Sequence, residues 1–444
     1  MKSNSVSPAR LTAFEILRRV AEGAYASVLL AARASELAPP DRALCHELVM
    51  GVLRQQLWLD RLIEHYANRK AATLDETVRI VLRLGLYQLR FLSRVPASAA
   101  VNESVNLVHH ARLRSAGSLV NAVLRRATRE PEVDPTSNIR DLLERLSVET
   151  SHPVWLLARW SEAFGAADAE AFARANNEPA PTAFRVVNNR AHEADVLADL
   201  RAAGAELVPS KIAANAWRIS GAGSLLSELA AAGKVYLQDE ASQLVGLLLD
   251  VQPGHRVLDL CAAPGSKTTQ VANLAGDSAV VVAADLHEHR LRTVSSSARL
   301  QGLQSIHAVV TDGLQPLPLA EVAFDRVLVD APCSGTGTLR RNPEIRWRIT
   351  PADIQDLAGR QKQLLLNAAR VVRPGGRLVY STCSVERDEN EEVVQTFLEN
   401  NESFRLANMT INAKLQTSFG SARTWPQRDG TDGFFFCAFE RIGS

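Results

Sequence analysis

From about residue 236 onward the chain repeats one pattern, a short β-branched apolar run followed by a helical or loop segment. HRVLDLCA, AVVVAADL, SIHAVVTD, FDRVLVDAP and GRLVYSTCS are the five runs. Strands spaced by helices cannot close as tight hairpins. They pair in parallel through crossovers, with helices on both faces, so the pattern predicts a doubly wound α/β sheet. The final run, GFFFCAFER, has no helix after it and reads as a terminal strand lying antiparallel beside the others.

Such a sheet dictates where chemistry belongs, because ligands bind beyond the carboxyl ends of the strands. The first strand runs into Cys261-Ala262-Ala263-Pro264-Gly265-Ser266-Lys267-Thr268. Small residues there let a ligand approach the backbone, and a helix starting near Thr268 offers free N–H groups. The loop is not a P-loop, which needs Gly directly before the Lys, and it is not a GxGxxG fingerprint. Gly335-Thr336-Gly337 lacks a third glycine and is discounted. The next three strands end near Asp285, Asp312 and Asp330. Three carboxylates on one rim suit a ligand with a ribose, an exocyclic amine and a positive centre, and they repel a triphosphate. S-adenosylmethionine has all three features. Strand-end acids also cap helices, but three in register beside a small-residue loop favour a ligand.

Two cysteines fall at two adjacent strand ends, Cys333 after DAP and Cys383 in STCS. Carbon-5 of cytosine is a poor nucleophile. Attack of a thiolate on carbon-6 creates an enamine whose carbon-5 can accept a methyl group, and an acid at ring nitrogen-3, here Asp330, eases that attack. One thiol serves as nucleophile while the other assists release, and spacing alone does not order them. Helix N-termini and Lys267 favour the thiolate. Cys45 and Cys437 read as structural, as does Cys261 within its turn.

Upstream, residues 1–129 show apolar residues at helical spacing over 8–33, 41–66, 73–93, 99–112 and 118–129, with Val78, Leu82, Leu86 and Leu89 as one stripe. A helical bundle follows. Helical linker material and a small α+β region with strands PTAFRVV, AWRIS and KVYLQ come next. The expected division is an all-α bundle over 1–135, a linker and α+β domain over 136–235, and the α/β domain over 236–444.

A net charge of +1 argues at first against nucleic acid, but residues 1–129 carry 19 Lys and Arg against 10 Asp and Glu, and the rest carries 31 against 39. A basic bundle on a neutral whole suggests an anionic partner. Arg112, Arg114, Arg125, Arg126 and Arg129 are candidate backbone contacts. Arg340, Arg341, Arg346 and Arg348 surround Trp347 just after Cys333 and suit phosphate contacts, with the Trp role left open. No CxxC pair marks a metal site, and no metal is expected. No apolar run is long enough to span a membrane, and no secretory signal is read at the N-terminus, so a cytoplasmic location is expected.

The run LDLCAAPGSKT, then DAPCSGTGTLRRNPEIRW, YSTCSVERDENEEVV and DGFFFCAF, resembles the bacterial RNA (cytosine-5) methyltransferases. RLGLYQLRFLSRVP, AVNESV and LVNAVLRR resemble the NusB domain. Together they cover nearly the whole chain and match the branch acting on 16S ribosomal RNA. The resemblance implies a Rossmann-like, S-adenosylmethionine-dependent domain behind a NusB-like bundle. It places the donor loop on Cys261 through Lys267 and further donor contacts on Asp285, Asp312 and Asp330. It makes Cys383 the nucleophile and Cys333 the releasing thiol. The implied partner is free or partly assembled ribosomal RNA, met by a monomer. Another RNA such as tRNA, a DNA cytosine methyltransferase with Cys333 as nucleophile, and an RNA-binding regulator with a degenerate donor site are the alternatives. One departure stands out: most members carry a second glycine where this chain has Ser266.

Overall fold

The computed structural model describes residues 6–443. The chain divides into two compact units. One runs to Pro179 and also takes in Leu339–Arg348, and the other holds Ala180–Thr338 and everything from Ile349 onward.

The first unit is all helix: α1 (Pro8–Ala21), α2 (Ala26–Arg33), α3 (Pro39–Arg54), α4 (Gln56–Ala67), α5 (Glu76–Phe91), α6 (Ala97–His110), α7 (Gly117–Arg129), α8 (Leu142–Thr150), α9 (Val154–Phe164) and α10 (Ala166–Ala175). α5 shows why. Asp75 caps it by accepting the Thr77 and Val78 N–H groups, and Val78, Leu82 and Leu86 point into the core with Leu89 packed at its edge. Each fully buried side chain of this kind contributes about 1.5–3 kcal/mol. The segments read as single helices over 8–33 and 41–66 are each two helices. The first break falls at Gly23, whose φ is +111°, and the second at Gln55, between α3 and α4. α8–α10, expected as linker, are built into this unit around fully buried Leu156, Leu157, Trp160 and Phe172.

The second unit opens with β1 (Thr182–Val186), α11 (Glu193–Ala202), β2 (Glu206–Pro209), β3 (Ala216–Ser220), α12 (Gly223–Ala231) and β4 (Val235–Leu237). The strands form an antiparallel sheet in the order β2-β3-β1-β4, a ferredoxin-like arrangement. The edge strand β2 is not among the strands expected from the sequence. It is exposed along most of its length and carries no alternation to read.

There follow α13 (Glu240–Leu248), β5 (Arg256–Asp259), α14 (Ser266–Leu274), β6 (Val280–Asp285), α15 (Glu288–Leu300), β7 (Ile306–Val310), β8 (Phe324–Asp330), α16 (Pro351–Val371), β9 (Val372–Thr382), α17 (Glu391–Glu399), β10 (Phe404–Leu406), β11 (Ala422–Thr424) and β12 (Phe434–Arg441). The sheet order is β10-β12-β9-β8-β5-β6-β7, with β11 pairing β12. β5 to β9 are parallel, and β12 returns antiparallel to β9. Strand order reverses between β5 and β8, which puts the switch point between the loop after Asp259 and the end of β8 at Asp330. β5, β6, β8 and the second half of β9 are largely buried, as their apolar runs require, whereas the edge strand β7 has no buried residue.

Candidate active site

The loop between β5 and α14 is shaped by Gly265. Its φ is +104°, and a Cβ there would sit 3.1 Å from Val294 Cα. Ser266 begins α14 and has no positive φ, so the serine in place of a second glycine meets no backbone strain. The Ser266 and Lys267 amides find no acceptor among the described residues, as the first turn of a helix leaves them. Asp285 accepts the Ala263 N–H at 3.2 Å and the His287 N–H at 3.0 Å, while Arg290 donates to the Ala263 carbonyl at 3.0 Å. Asp285 therefore closes the loop as well as facing the rim. Asp312 lies two residues beyond β7 and accepts the Leu314 N–H at 2.9 Å.

Asp259, the last residue of β5, belongs to this group although the sequence pattern does not single it out. It is 2% exposed, accepts the Thr268 hydroxyl at 2.7 Å through one oxygen, and has no partner for the other among the described residues. Burial pushes its carboxyl up to about 7, with the charges of Asp330 and Asp285 adding to the effect. The rule that selects the other three acids selects it too, but its place inside the apolar run LDL hides it.

At the neighbouring strand ends, Cys333 Sγ and Cys383 Sγ are 3.3 Å apart. β8 and β9 bring them together: the strands pair in parallel up to Asp330 opposite Ser381, and each cysteine follows within three residues. The Cys333 thiol is raised well above its ordinary value, first by its hydrogen bond with Cys383, then by burial and by the charges of Cys383 and Glu389. Asp330 accepts Lys267 Nζ at 2.6 Å and the Ser381 hydroxyl at 2.7 Å. Burial alone would lower the Lys267 ammonium. Asp330, with a further contribution from Cys383, more than offsets this and holds it above the usual lysine range. The site thus gathers a thiol that keeps its proton, a second thiol beside an ammonium ion, and a carboxylate on that same ammonium. Gly337 completes the loop after Cys333: its N–H donates to the Cys383 carbonyl at 2.9 Å, and a Cβ there would collide with the Gly433 carbonyl. The discounted glycine pair is therefore a close-packing device at this site.

The remaining cysteines are free: Cys45 and Cys437 lie in the core, where burial raises both thiols, and Cys261 is likewise raised by burial. Among the described residues no cluster could hold a metal ion, and no helix is long and apolar enough to cross a membrane.

The arginines after Cys333 require a correction. Arg346 is fully buried in the helical unit, where its Nη1 donates to the Thr150 and Ser151 carbonyls, each at 3.2 Å, and to Asn177 Oδ1 at 2.9 Å. Arg340 is 5% exposed, and its carbonyl accepts Arg54 Nη2 at 2.9 Å. Arg348 donates to the carbonyls of Val20, Gly23 and Ala24 at the end of α1. Main-chain carbonyls of the unit hold Arg346 and Arg348, and burial withdraws Arg340, so phosphate contact by these three is replaced by packing. Arg341 is half-buried. In the bundle, Arg126 donates to the His65 and Tyr66 carbonyls at the end of α4, whereas Arg112, Arg114, Arg125 and Arg129 are exposed.

The sheet order and the loop at its switch point define an S-adenosylmethionine-dependent methyltransferase. The donor combines a cationic centre with ribose hydroxyls, and the unpartnered Asp259 oxygen, the unshared α14 amides and the Gly265 cradle fit such a molecule. A family model described as 16S rRNA methyltransferase RsmB/F matches residues 246–440, the NusB family matches 7–129, and an RsmF/B-like ferredoxin-like domain matches 152–225. The chain belongs to the 16S rRNA methyltransferase RsmB/F family. It is 34% identical to the probable ribosomal RNA small subunit methyltransferase B of Bacillus subtilis, over 100% of both chains. It is 36% identical to the ribosomal RNA small subunit methyltransferase B of Pseudomonas putida, over 98% of this chain and 99% of that one. Among solved structures, that of PH0851 is 28% identical with a TM-score of 0.85, covering 98% of this chain and 99% of its own. A methyltransferase homolog from Pyrococcus horikoshii is 27% identical with a TM-score of 0.60, covering 68% of this chain and 99% of its own.

Proposed function

We propose that the protein methylates carbon-5 of a cytosine in 16S ribosomal RNA through a covalent bond between Cys383 and carbon-6. The observation that carries this reading is the thiol pair at 3.3 Å beside the Lys267–Asp330 ion pair. The contact with Cys383 and burial hold the Cys333 thiol well above its ordinary value, which suits it to stay protonated, and Cys383 attacks as a thiolate that the Lys267 ammonium stabilises. The thiolate adds to carbon-6 and the ring electrons move to carbon-5. Asp330, paired with the Lys267 ammonium at 2.6 Å, meets the nitrogen-3 edge, and that ammonium offsets the negative charge that develops there. S-adenosylmethionine supplies an electrophilic methyl group to carbon-5. Water then takes the carbon-5 proton, and Cys333 donates a hydrogen bond to the Cys383 sulfur as that sulfur leaves carbon-6 as a thiolate, which restores the aromatic ring. Asp259, Asp285 and Asp312, with the loop from Cys261 to Lys267, hold the donor.

The target base must leave its stack for carbon-6 to be reached. Arg341, the exposed Arg112 and Arg114 between α6 and α7, and the exposed Arg125 and Arg129 of α7 supply backbone contacts on the RNA. The protein acts as a monomer in the cytoplasm, on free or partly assembled ribosomal RNA. Relatives named as ribosomal RNA small subunit methyltransferase B support this substrate. The test is trapping on RNA carrying 5-fluorocytosine, from which carbon-5 cannot lose a proton. The native chain and Cys333→Ala form a donor-dependent covalent adduct, and Cys383→Ala does not. An adduct with Cys383→Ala but not with Cys333→Ala would overturn the assignment.

A further inference from the structure

Behind the two thiols lies a carboxylate that takes no step in the chemistry above beyond the field it puts on Cys333. Glu389, in the loop between β9 and α17, is fully buried. One of its oxygens accepts the Ser334 N–H at 2.8 Å and the Gln361 amide at 2.9 Å. The other accepts the hydroxyls of both Ser334 and Ser384. Ser334 follows Cys333 directly and Ser384 follows Cys383. Gln361 also donates to the Pro332 carbonyl at 2.9 Å, so the residue before Cys333 is tied to the same centre. The Tyr380 hydroxyl, from inside β9, donates to the Glu389 carbonyl at 2.6 Å.

A carboxylate has about four acceptor sites, and these four bonds occupy them all. Glu389 therefore has no capacity left for a substrate atom. Its bonds run to the two loops that carry the thiols, and to nothing beyond them except Gln361.

We propose that Glu389 is a positioning residue that fixes the separation of Cys333 and Cys383, so that one carboxylate sets the register of both thiol loops. The inference rests on the reading that both thiols act in the reaction. The hydroxyls of Ser334 and Ser384 can rotate to accept as well as donate. A glutamine at 389 can therefore keep the amide contacts through its oxygen and donate to both hydroxyls through its nitrogen. The network holds the loops by geometry, and charge is secondary. Burial, outweighing its four bonds, already pushes the Glu389 carboxyl up, so the neutral replacement is tolerated.

The experiment uses the full chain as native protein, Glu389→Ala, Glu389→Gln and Ser384→Ala. Two readouts are taken. One is the rate at which diamide joins Cys333 to Cys383. In that reaction two thiols lose two electrons and two protons to form a disulfide, and the diazene becomes the hydrazine. The rate reports thiol separation without RNA or donor. The other readout is trapping on 5-fluorocytosine RNA. Misplacement by about 1 Å costs on the order of 100-fold. Glu389→Ala is expected to slow both rates by about that factor while donor affinity, read by calorimetry, is unchanged. Glu389→Gln is expected to restore both to within about fivefold, the equivalent of one ordinary hydrogen bond. Native cross-linking in Glu389→Ala, or a defect in Glu389→Gln equal to that of Glu389→Ala, overturns the proposal. If Glu389→Ala does not fold, Ser384→Ala carries the test: cross-linking slowed about fivefold supports the clamp, and an unchanged rate overturns it. If the native chain itself fails to trap on fluorocytosine RNA while cross-linking responds as described, the cytosine reading falls and the clamp stands.

Discussion

Replacing Arg346 with Met separates two readings of the arginine-rich segment that follows Cys333. A guanidinium on a phosphate and a guanidinium on main-chain carbonyls look alike in sequence, but their loss has opposite consequences. In the structure Arg346 is fully buried, and burial pushes its guanidinium down to about 9. Met fills much of the same space and donates nothing. The carbonyls of Thr150 and Ser151 and the Asn177 amide oxygen lose the donor they share, at roughly 1–3 kcal/mol for each buried acceptor left unmade. Relief of the desolvated charge offsets part of that loss. A net destabilisation of about 2–4 kcal/mol follows. For a unit of this size it lowers the thermal midpoint by roughly 6–12 °C. The assay is thermal and urea unfolding of native and Arg346→Met protein, run beside RNA binding across a salt series. The packing role requires lower stability and an unchanged log–log salt slope. A slope reduced by about one unit with native stability would restore the phosphate contact and refute the reasoning.

Three further outcomes are expected. Replacing Arg112, Arg114, Arg125 and Arg129 together by Gln should weaken RNA binding and flatten its salt slope by about 0.7–0.9 for each phosphate no longer neutralised, with stability unchanged; a native slope would show that this face does not meet the backbone. Lys267→Met should lower methyl transfer by about 10²–10³-fold, because the ion pair at Asp330 and the cation beside Cys383 vanish together, and a rate within tenfold of native in single-turnover assays would count against both roles. Asp259 has a folded pKa of about 7, above its unfolded value, so its contribution to stability is complete below about pH 4 and is lost as pH rises through 7. Donor-free native protein should therefore lose a few kcal/mol relative to Asp259→Asn between those limits, read as urea midpoints at pH 5 and pH 8; parallel curves would place the titration elsewhere.

Much of this molecule is legible from its residues, for identifiable reasons. β5, β6, β8 and the end of β9 announce themselves as continuous apolar runs because both sheet faces are covered there, and the exposed edge strand β7 is legible from its β-branched residues instead. The cysteines can be set side by side because strand neighbours in a doubly wound sheet are fixed by topology. The Arg346 site is not legible, since only burial distinguishes one array of acceptor oxygens from another. Glu389 sits in the acidic run ERDENEE, which reads as the solvated start of a helix. Its companions on the thiol loops, Ser334 and Ser384, converge on it only in three dimensions. β2, β10 and β11 are short or exposed edge strands whose composition resembles the loops around them.

The division of the chain also constrains how it is made. The helical unit is not finished when Pro179 leaves the ribosome, because Leu339–Arg348 belongs to it. Until Arg346 is synthesised, the carbonyls of Thr150 and Ser151 lack its guanidinium, and the Ala26 N–H at the start of α2 lacks the Glu344 carboxylate. Domains generally fold as units, N-terminal first, during translation. Here the first unit to emerge must wait for residues encoded near the middle of the second. The nascent bundle is therefore expected to be more open to protease on chains stalled before residue 339 than on chains stalled well beyond 348. Equal protection at both lengths would show that the bundle closes without that segment.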